Sequence, residues 1–218
     1  MGRKQLAVSD GQQCLDFTYV EQAPSVTLYN WDQQLLMSHE YATSSDAARI
    51  LKNCIPGACR VEKASTADDK KGIDFWVHRE NERSLSVDIK TRKEDYFLRG
   101  QDDLALETWS VVEEKKIGWT RDSNKQCDYV MWLWQNSRRY CIVPFPILCS
   151  VFSERWEEWR GTYRIATQRT FGRMRAWHSE CVFVPRKIVW RHIYRQSNGA
   201  VTDDGIIIGP PEYGTLPS

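Results

Sequence analysis

Four short segments, at residues 58–63, 73–78, 85–91 and 104–110, are rich in β-branched or aromatic residues and are separated by Gly, Asp, Asn or Lys clusters. Such a succession commits the middle of the chain to a β-sheet. Residues 129–134 and 140–145 flank Gln-Asn-Ser-Arg-Arg and read as a hairpin. Helices are predicted on both sides of this β-rich stretch. Ser44-Ser45-Asp46 offers N-cap chemistry, Ala47, Ala48, Ile50 and Leu51 continue as a short helix, and Pro56-Gly57 stops it. A second helix is expected over about residues 146–160, where Ile147, Val151, Phe152, Trp156 and Trp159 recur at three- and four-residue spacing. One more short strand is expected at 182–185.

A chain of 218 residues is long enough for one elaborated domain with a full core. Its 41% hydrophobic and 27% charged residues, with a mean hydropathy of −0.57, exclude collagen-like, fibrous and largely disordered classes. The longest apolar stretch, about residues 140–152, is broken by Pro144 and Pro146 and falls short of the ~20 residues of a membrane span. No membrane partner is expected, and the amino terminus lacks the apolar core of a secretory signal, so the expected location is cytoplasmic. Seven cysteines fit no disulfide framework and no paired zinc module, and read as reduced, mostly buried thiols. The net charge of +1 conceals an asymmetry: residues 151–196 carry ten Lys/Arg against four acids.

The chemically informative segment is Gly72-Ile73-Asp74, followed through a turn at Asn81 by Val87-Asp88-Ile89-Lys90. In a strand, residues i and i+2 project to one face, so Asp88 and Lys90 lie side by side. If the two segments pair as a hairpin about residues 79–84, Asp74 comes close to Asp88. Two carboxylates and the Ile89 carbonyl would make an all-oxygen site suited to Mg²⁺, with Lys90 orienting a water or stabilising the phosphoryl transition state. The same alternation of charge is what a half-solvated strand shows, so D-x-K alone does not decide.

The order helix, strand, Gly-Ile-Asp74 strand, Val-Asp88-Ile-Lys90 strand, further strand resembles the PD-(D/E)XK nuclease superfamily, with Asp74 as first acid and Asp88 and Lys90 as the (D/E)XK pair. Ile73 stands where the motif's proline would be. Leu104-Ala-Leu-Glu107-Thr-Trp-Ser110, Gly118-Trp119 and Cys127-Asp128-Tyr129 are similar, in the same order, to the "ALE…S", "GW" and "ADY" of uncharacterised phage and mobile-element members. The resemblance covers about residues 44–185. It implies an α/β, restriction-endonuclease-like core with a mixed central sheet flanked by helices, Mg²⁺ or Mn²⁺ as cofactor, and DNA cleavage, endo- or exonucleolytic. It leaves residues 1–43 as an arm or small extension and 186–218 as a largely irregular extension. The catalytic set is then Asp74, Asp88, Lys90 and Glu107, and the metal ligands Asp74, Asp88 and Ile89. Glu107 is either an extra ligand or a group that orients Lys90. Glu40 and Asp46 are the candidates for an acid on the first helix.

Other chemistries lack their motifs: the histidines show no H-E-x-x-H spacing, and neither a G-x-S-x-G elbow nor a Walker-type loop occurs. In the run 169–178 cations alternate with aromatics and small residues, which suits a loop along a sugar-phosphate backbone and makes Arg169, Arg173 and Arg175 the nucleic-acid-binding candidates. DNA is therefore the expected partner, with a homodimer left open. Exchange of Asp88 or Lys90 is expected to abolish cleavage with the fold largely intact. The rival reading is a catalytically inactive nucleic-acid-binding or protein-interaction module on the same fold.

Overall fold

The computed structural model describes residues 27–30, 45–171, 175–197 and 212–215. Its elements are β1 (Thr27–Asn30), α1 (Ser45–Cys54), β2 (Ala58–Lys63), α2 (Thr66–Asp69), β3 (Phe75–Arg79), β4 (Glu82–Arg92), β5 (Asp103–Val111), β6 (Lys116–Ile117), β7 (Tyr129–Trp134), β8 (Arg139–Pro144), α3 (Phe145–Thr162), β9 (Ile165–Phe171), β10 (Ala176–Pro185), α4 (Arg186–Ser197) and β11 (Glu212–Thr215). The class is α/β with mixed sheets. One sheet runs β11-β8-β7-β4-β3-β2 and the other β1-β9-β10-β5-β6. All neighbours are antiparallel except β4 with β7 and β1 with β9.

The six-stranded sheet buries both faces. Leu85, Val87 and Ile89 of β4 point with Phe75 and Val77 of β3 and Met131 and Leu133 of β7 to one side, where Ala47, Ile50 and Leu51 of α1 cover them. The three- and four-residue spacing of those α1 residues makes its apolar stripe. The alternate residues face the other way: Val130 and Trp132 of β7 with Cys141 and Val143 of β8 join Leu104 and Leu106 of β5, Val182 and Val184 of β10, and Leu148, Phe152, Val189 and Ile193 from α3 and α4 in a second, larger core. The connection from β4 to β7 leaves the first sheet, builds β5 and β6 of the second, and returns parallel to β4.

The β3–β4 hairpin turns at Glu80-Asn81, with Asn81 at φ 58, and the β7–β8 hairpin forms as expected. Two segments differ from the reading of the sequence. Residues 186–197, taken as part of an irregular extension, form α4, whose buried Val189, Ile193 and Ser197 recur every fourth residue. The run from Arg169 is not one loop, because β9 continues to Phe171 and β10 begins at Ala176. Asp68 and Asp69 sit in α2, capped by Ser65, whose side-chain oxygen accepts from the Asp68 N–H. Glu40 and Arg173 lie outside the described residues. The six described cysteines form no disulfide with one another, and Cys127, Cys141 and Cys149 are buried. Among the described residues, no helix is long and apolar enough to cross a membrane.

Candidate active site

Hairpin register sets the first contact. Phe75 pairs with Val87 and both enter the α1 core, so Asp74 and Asp88, one residue along, turn to the opposite face, where Lys90 follows by alternation. Asp74 precedes β3. Its N–H donates to the Val87 carbonyl at 2.9 Å, and its Oδ2 accepts from the Ile89 N–H at 2.6 Å. Because N–H and C=O of one strand residue share an edge, the Ile89 carbonyl also points toward Asp74.

Asp88 is buried, with 3% of its surface exposed, and meets two cations. Lys90 Nζ lies 3.0 Å from Oδ1 and 2.8 Å from Oδ2, and Lys125 Nζ lies 2.8 Å from Oδ2. Lys125 is the residue of this candidate site that reading the sequence missed. It comes from the irregular stretch between Arg121 and Tyr129, where no periodicity gives a direction, and it reaches Asp88 by crossing Gly72. Gly72 has φ +81, and a Cβ there would overlap Lys125 Nζ, so this glycine serves the ion pair as well as the turn.

Glu107 approaches from β5, in the other sheet, where it pairs with Cys181. Its Oε2 accepts from the Trp119 N–H at 2.8 Å, and its own N–H donates to Thr120 Oγ1 at 2.9 Å. Gly118 permits this closure, since a Cβ there would overlap the Glu107 carbonyl. The Trp119 ring in turn lies 4.9 Å from Lys90 Nζ and 5.6 Å from Lys125 Nζ. Of the two roles open for Glu107, orienting Lys90 through the 118–121 turn is the one with contacts behind it.

The electrostatics follow from this crowding. Burial and the negative charge of Asp88 push the Asp74 carboxyl up to about 7, against the Ile89 N–H and Lys90, which favour its charged form. Burial alone would raise Asp88, but Lys90 and then Lys125 hold it below the usual range. Burial would lower Lys90, but Asp88, then Asp74 and Glu107, carry it above the ordinary lysine value. Glu107 is raised by burial in spite of the Trp119 N–H, Lys90, Arg92 and Lys125.

The other candidates lie elsewhere. Asp46, on α1 across the sheet from Asp88, pairs with Arg49 of the same helix and with Arg138 of the β7–β8 turn. Arg169 stands opposite His178, three residues from the Cys181 that pairs with Glu107, and so projects from the other face of its sheet. Arg175 is ion-paired with Glu114. The structure thus brings Asp74, Asp88, Lys90 and Glu107 together and leaves Asp46, Arg169 and Arg175 apart from them.

Asp74 and Asp88 with the Ile89 carbonyl are the residues that would hold a metal ion. No cluster of three or more His, Cys, Asp or Glu side chains suited to one occurs among the described residues. The donor set suits Mg²⁺, which keeps several waters and binds through one or two carboxylates plus substrate phosphate. Asp88 Oδ2 fits such a role: it is buried without an aligned hydrogen bond despite the two ammonium groups beside it. No family model, curated protein or solved structure matches this chain.

Proposed function

We propose that this chain is a metal-dependent nuclease of the PD-(D/E)XK type that hydrolyses DNA phosphodiester bonds. One observation carries the reading: Asp74, fourteen residues before Asp88, and Lys90, two after it, converge with Asp88 on a single sheet face. The order α1, β2, the Asp74 strand, the Asp88–Lys90 strand and β7 beside it supports a restriction-endonuclease-like core. A bound Mg²⁺ or Mn²⁺ would lower the pKa of a coordinated water and neutralise charge on the phosphodiester. The chain's own part is to keep Asp88 charged, to hold the Lys90 ammonium beside it, and to fix that ammonium from behind with Trp119 and Glu107. A preorganised cation facing the phosphate stabilises the charge that develops in the transition state.

The second reading, an inactive binding module, is favoured by Lys125. Two ammonium groups already compensate the buried Asp88 carboxylate, which then needs no metal. Incubation of linear, single-stranded and branched DNA with and without Mg²⁺ separates the two. The nuclease reading expects metal-dependent cleavage that drops about a hundredfold or more in Lys90→Ala. Absence of cleavage with either Mg²⁺ or Mn²⁺, or a Lys90→Ala rate near wild type, overturns it in favour of the module.

A further inference from the structure

We infer that the cleft continuing from Lys90 between the two sheets is a subsite for a single unpaired nucleotide, which makes single-stranded DNA, or a strand opened at the cut, the substrate class. The inference rests on the nuclease reading for the phosphodiester, and on the cleft's own chemistry for the nucleotide. Its floor is the same strand face: Lys90 pairs with Trp132 and Arg92 with Trp134 across β4 and β7. Its opposite wall is Phe183 of β10, and Tyr96 stands at the mouth with 43% of its surface exposed. The cavity between these side chains measures about 90 Å³ and opens to solvent.

Two guanidinium groups in this cleft are available to an anion. Arg139, which also lines it, is consumed by Asp95 and Asp102 and clamped between Phe97 and Trp134 at 4.4 Å from each ring. Arg92 and Arg164, by contrast, have no carboxylate at ion-pair distance among the described residues. Arg164 lies over the Phe183 ring, 3.7 Å from its centre, with its charge felt at Asp103, and Arg92 sends its field toward Glu107. Lys90 and Arg92 are two residues apart on one strand, about 6.6 Å, roughly the advance of one nucleotide along an extended backbone.

The fully buried Trp132 is the second sign of a ligand. It lines the cleft at the edge of the apolar core, and among the described residues its buried Nε1–H has no acceptor. Glu94 and Asp103, also in the lining, carry carboxylate oxygens that can accept from a base's amino group. Aromatic walls, unpaired guanidinium groups and edge hydrogen-bonding groups are what an unstacked base with its phosphate requires. Sheets packed about 10 Å apart leave space for one ring system between their side chains and none for a base pair.

The test is binding in EDTA, which separates it from cleavage. A fluorescently labelled single-stranded oligonucleotide and its annealed duplex are titrated with wild type, with Arg92→Ala/Arg164→Ala, and with the mouth variant Tyr96→Ala, whose exposed ring can be removed without loss of fold. The single strand is expected to bind at least tenfold more tightly than the duplex. Each phosphate contact on a single strand contributes about 0.7 to the slope of log K against log salt, so the double variant should flatten that slope by about 1.4. Tyr96→Ala should weaken single-strand binding about tenfold and leave duplex binding unchanged. Equal or tighter duplex binding, or single-strand affinity and slope unchanged in both variants, overturns the subsite. If the single strand binds as expected yet Mg²⁺ elicits no cleavage, the nuclease reading falls and the subsite stands. If duplex is cut and both variants cut it at the wild-type rate, the reverse holds.

Discussion

The Asp74 carboxyl is the residue on which pH acts. Its value of about 7 in the folded protein stands above the ordinary 3.8 of the unfolded chain, so between about pH 4 and 7 the folded state holds a proton that the unfolded state has released. Stability therefore falls as pH rises through that window and levels off above it, and Glu107, also raised, acts in the same sense. Asp88, lowered, acts oppositely and only in stronger acid, losing its contribution as pH falls below the ordinary carboxylate value. Urea denaturation across the window should show the decline in wild type and a flatter curve in Asp74→Asn, which keeps an oxygen for the Ile89 N–H. A metal ion favours the ionised carboxylate, so Mg²⁺ should raise the denaturation midpoint above about pH 7 more than near pH 5. An equal effect at both would place the ion elsewhere.

Also at this scale, the expectation that Asp88 can be exchanged with the fold intact does not survive its burial. Removal of Asp88 strands Lys125, of whose side chain only 7% is exposed, and breaking such a pair costs about 3–5 kcal/mol. Lys90, with 25% of its side chain exposed, is the better probe of chemistry. Asp88→Asn and Lys125→Met should each destabilise, while the double variant should lose less than the two together, because the second change removes the charge stranded by the first. Strict additivity in denaturant titrations would show that Asp88 and Lys125 are not energetically coupled.

Elements explain what was legible in the sequence. β2, β3, β4, β5, β7 and β8 carry alternating or continuous apolar runs between turn residues, and their bounds came within a few residues of those observed. The convergence of Asp74, Asp88 and Lys90 was legible for the same reason, since a period of two fixes the face once a hairpin fixes the register. β9 was not, because its residues from Ile165 to Arg169 are all half-buried and alternate only weakly. In α4 four basic residues obscured a stripe of three buried ones. Lys125 gave no signal at all, because tertiary contact across Gly72 alone directs it. An L-residue at the φ of Gly72 costs about 1–2 kcal/mol before any clash. Gly72→Ala should therefore lose more than that through displacement of Lys125, and Gly72→Ala/Lys125→Ala should differ from Lys125→Ala by the backbone cost alone. Thermal or urea unfolding of the three variants measures both parts.

At the scale of the molecule, the two sheets divide the positive charge into separate regions. Lys90, Arg92, Lys125 and Arg164 gather at the cleft side, whereas Arg169 and Arg175 belong to the far face and tip of the β9–β10 hairpin. On the nuclease reading, DNA cut at Asp88 would meet the second group only where its flanking duplex passed around the five-stranded sheet. A duplex phosphate contact adds about 0.9 to the salt slope, and Arg175 already spends part of its charge on Glu114. Arg169→Gln/Arg175→Gln should thus flatten the slope by less than about 1.8 for DNA with a long duplex flank, and leave it unchanged for a short single strand. The single-turnover rate at saturating DNA should stay at the wild-type value, because neither guanidinium reaches the face of Glu107. A slope unaltered on both substrates would confine DNA to the cleft side, and a fallen single-turnover rate would mean that the β9–β10 hairpin positions the scissile phosphate as well as its flank.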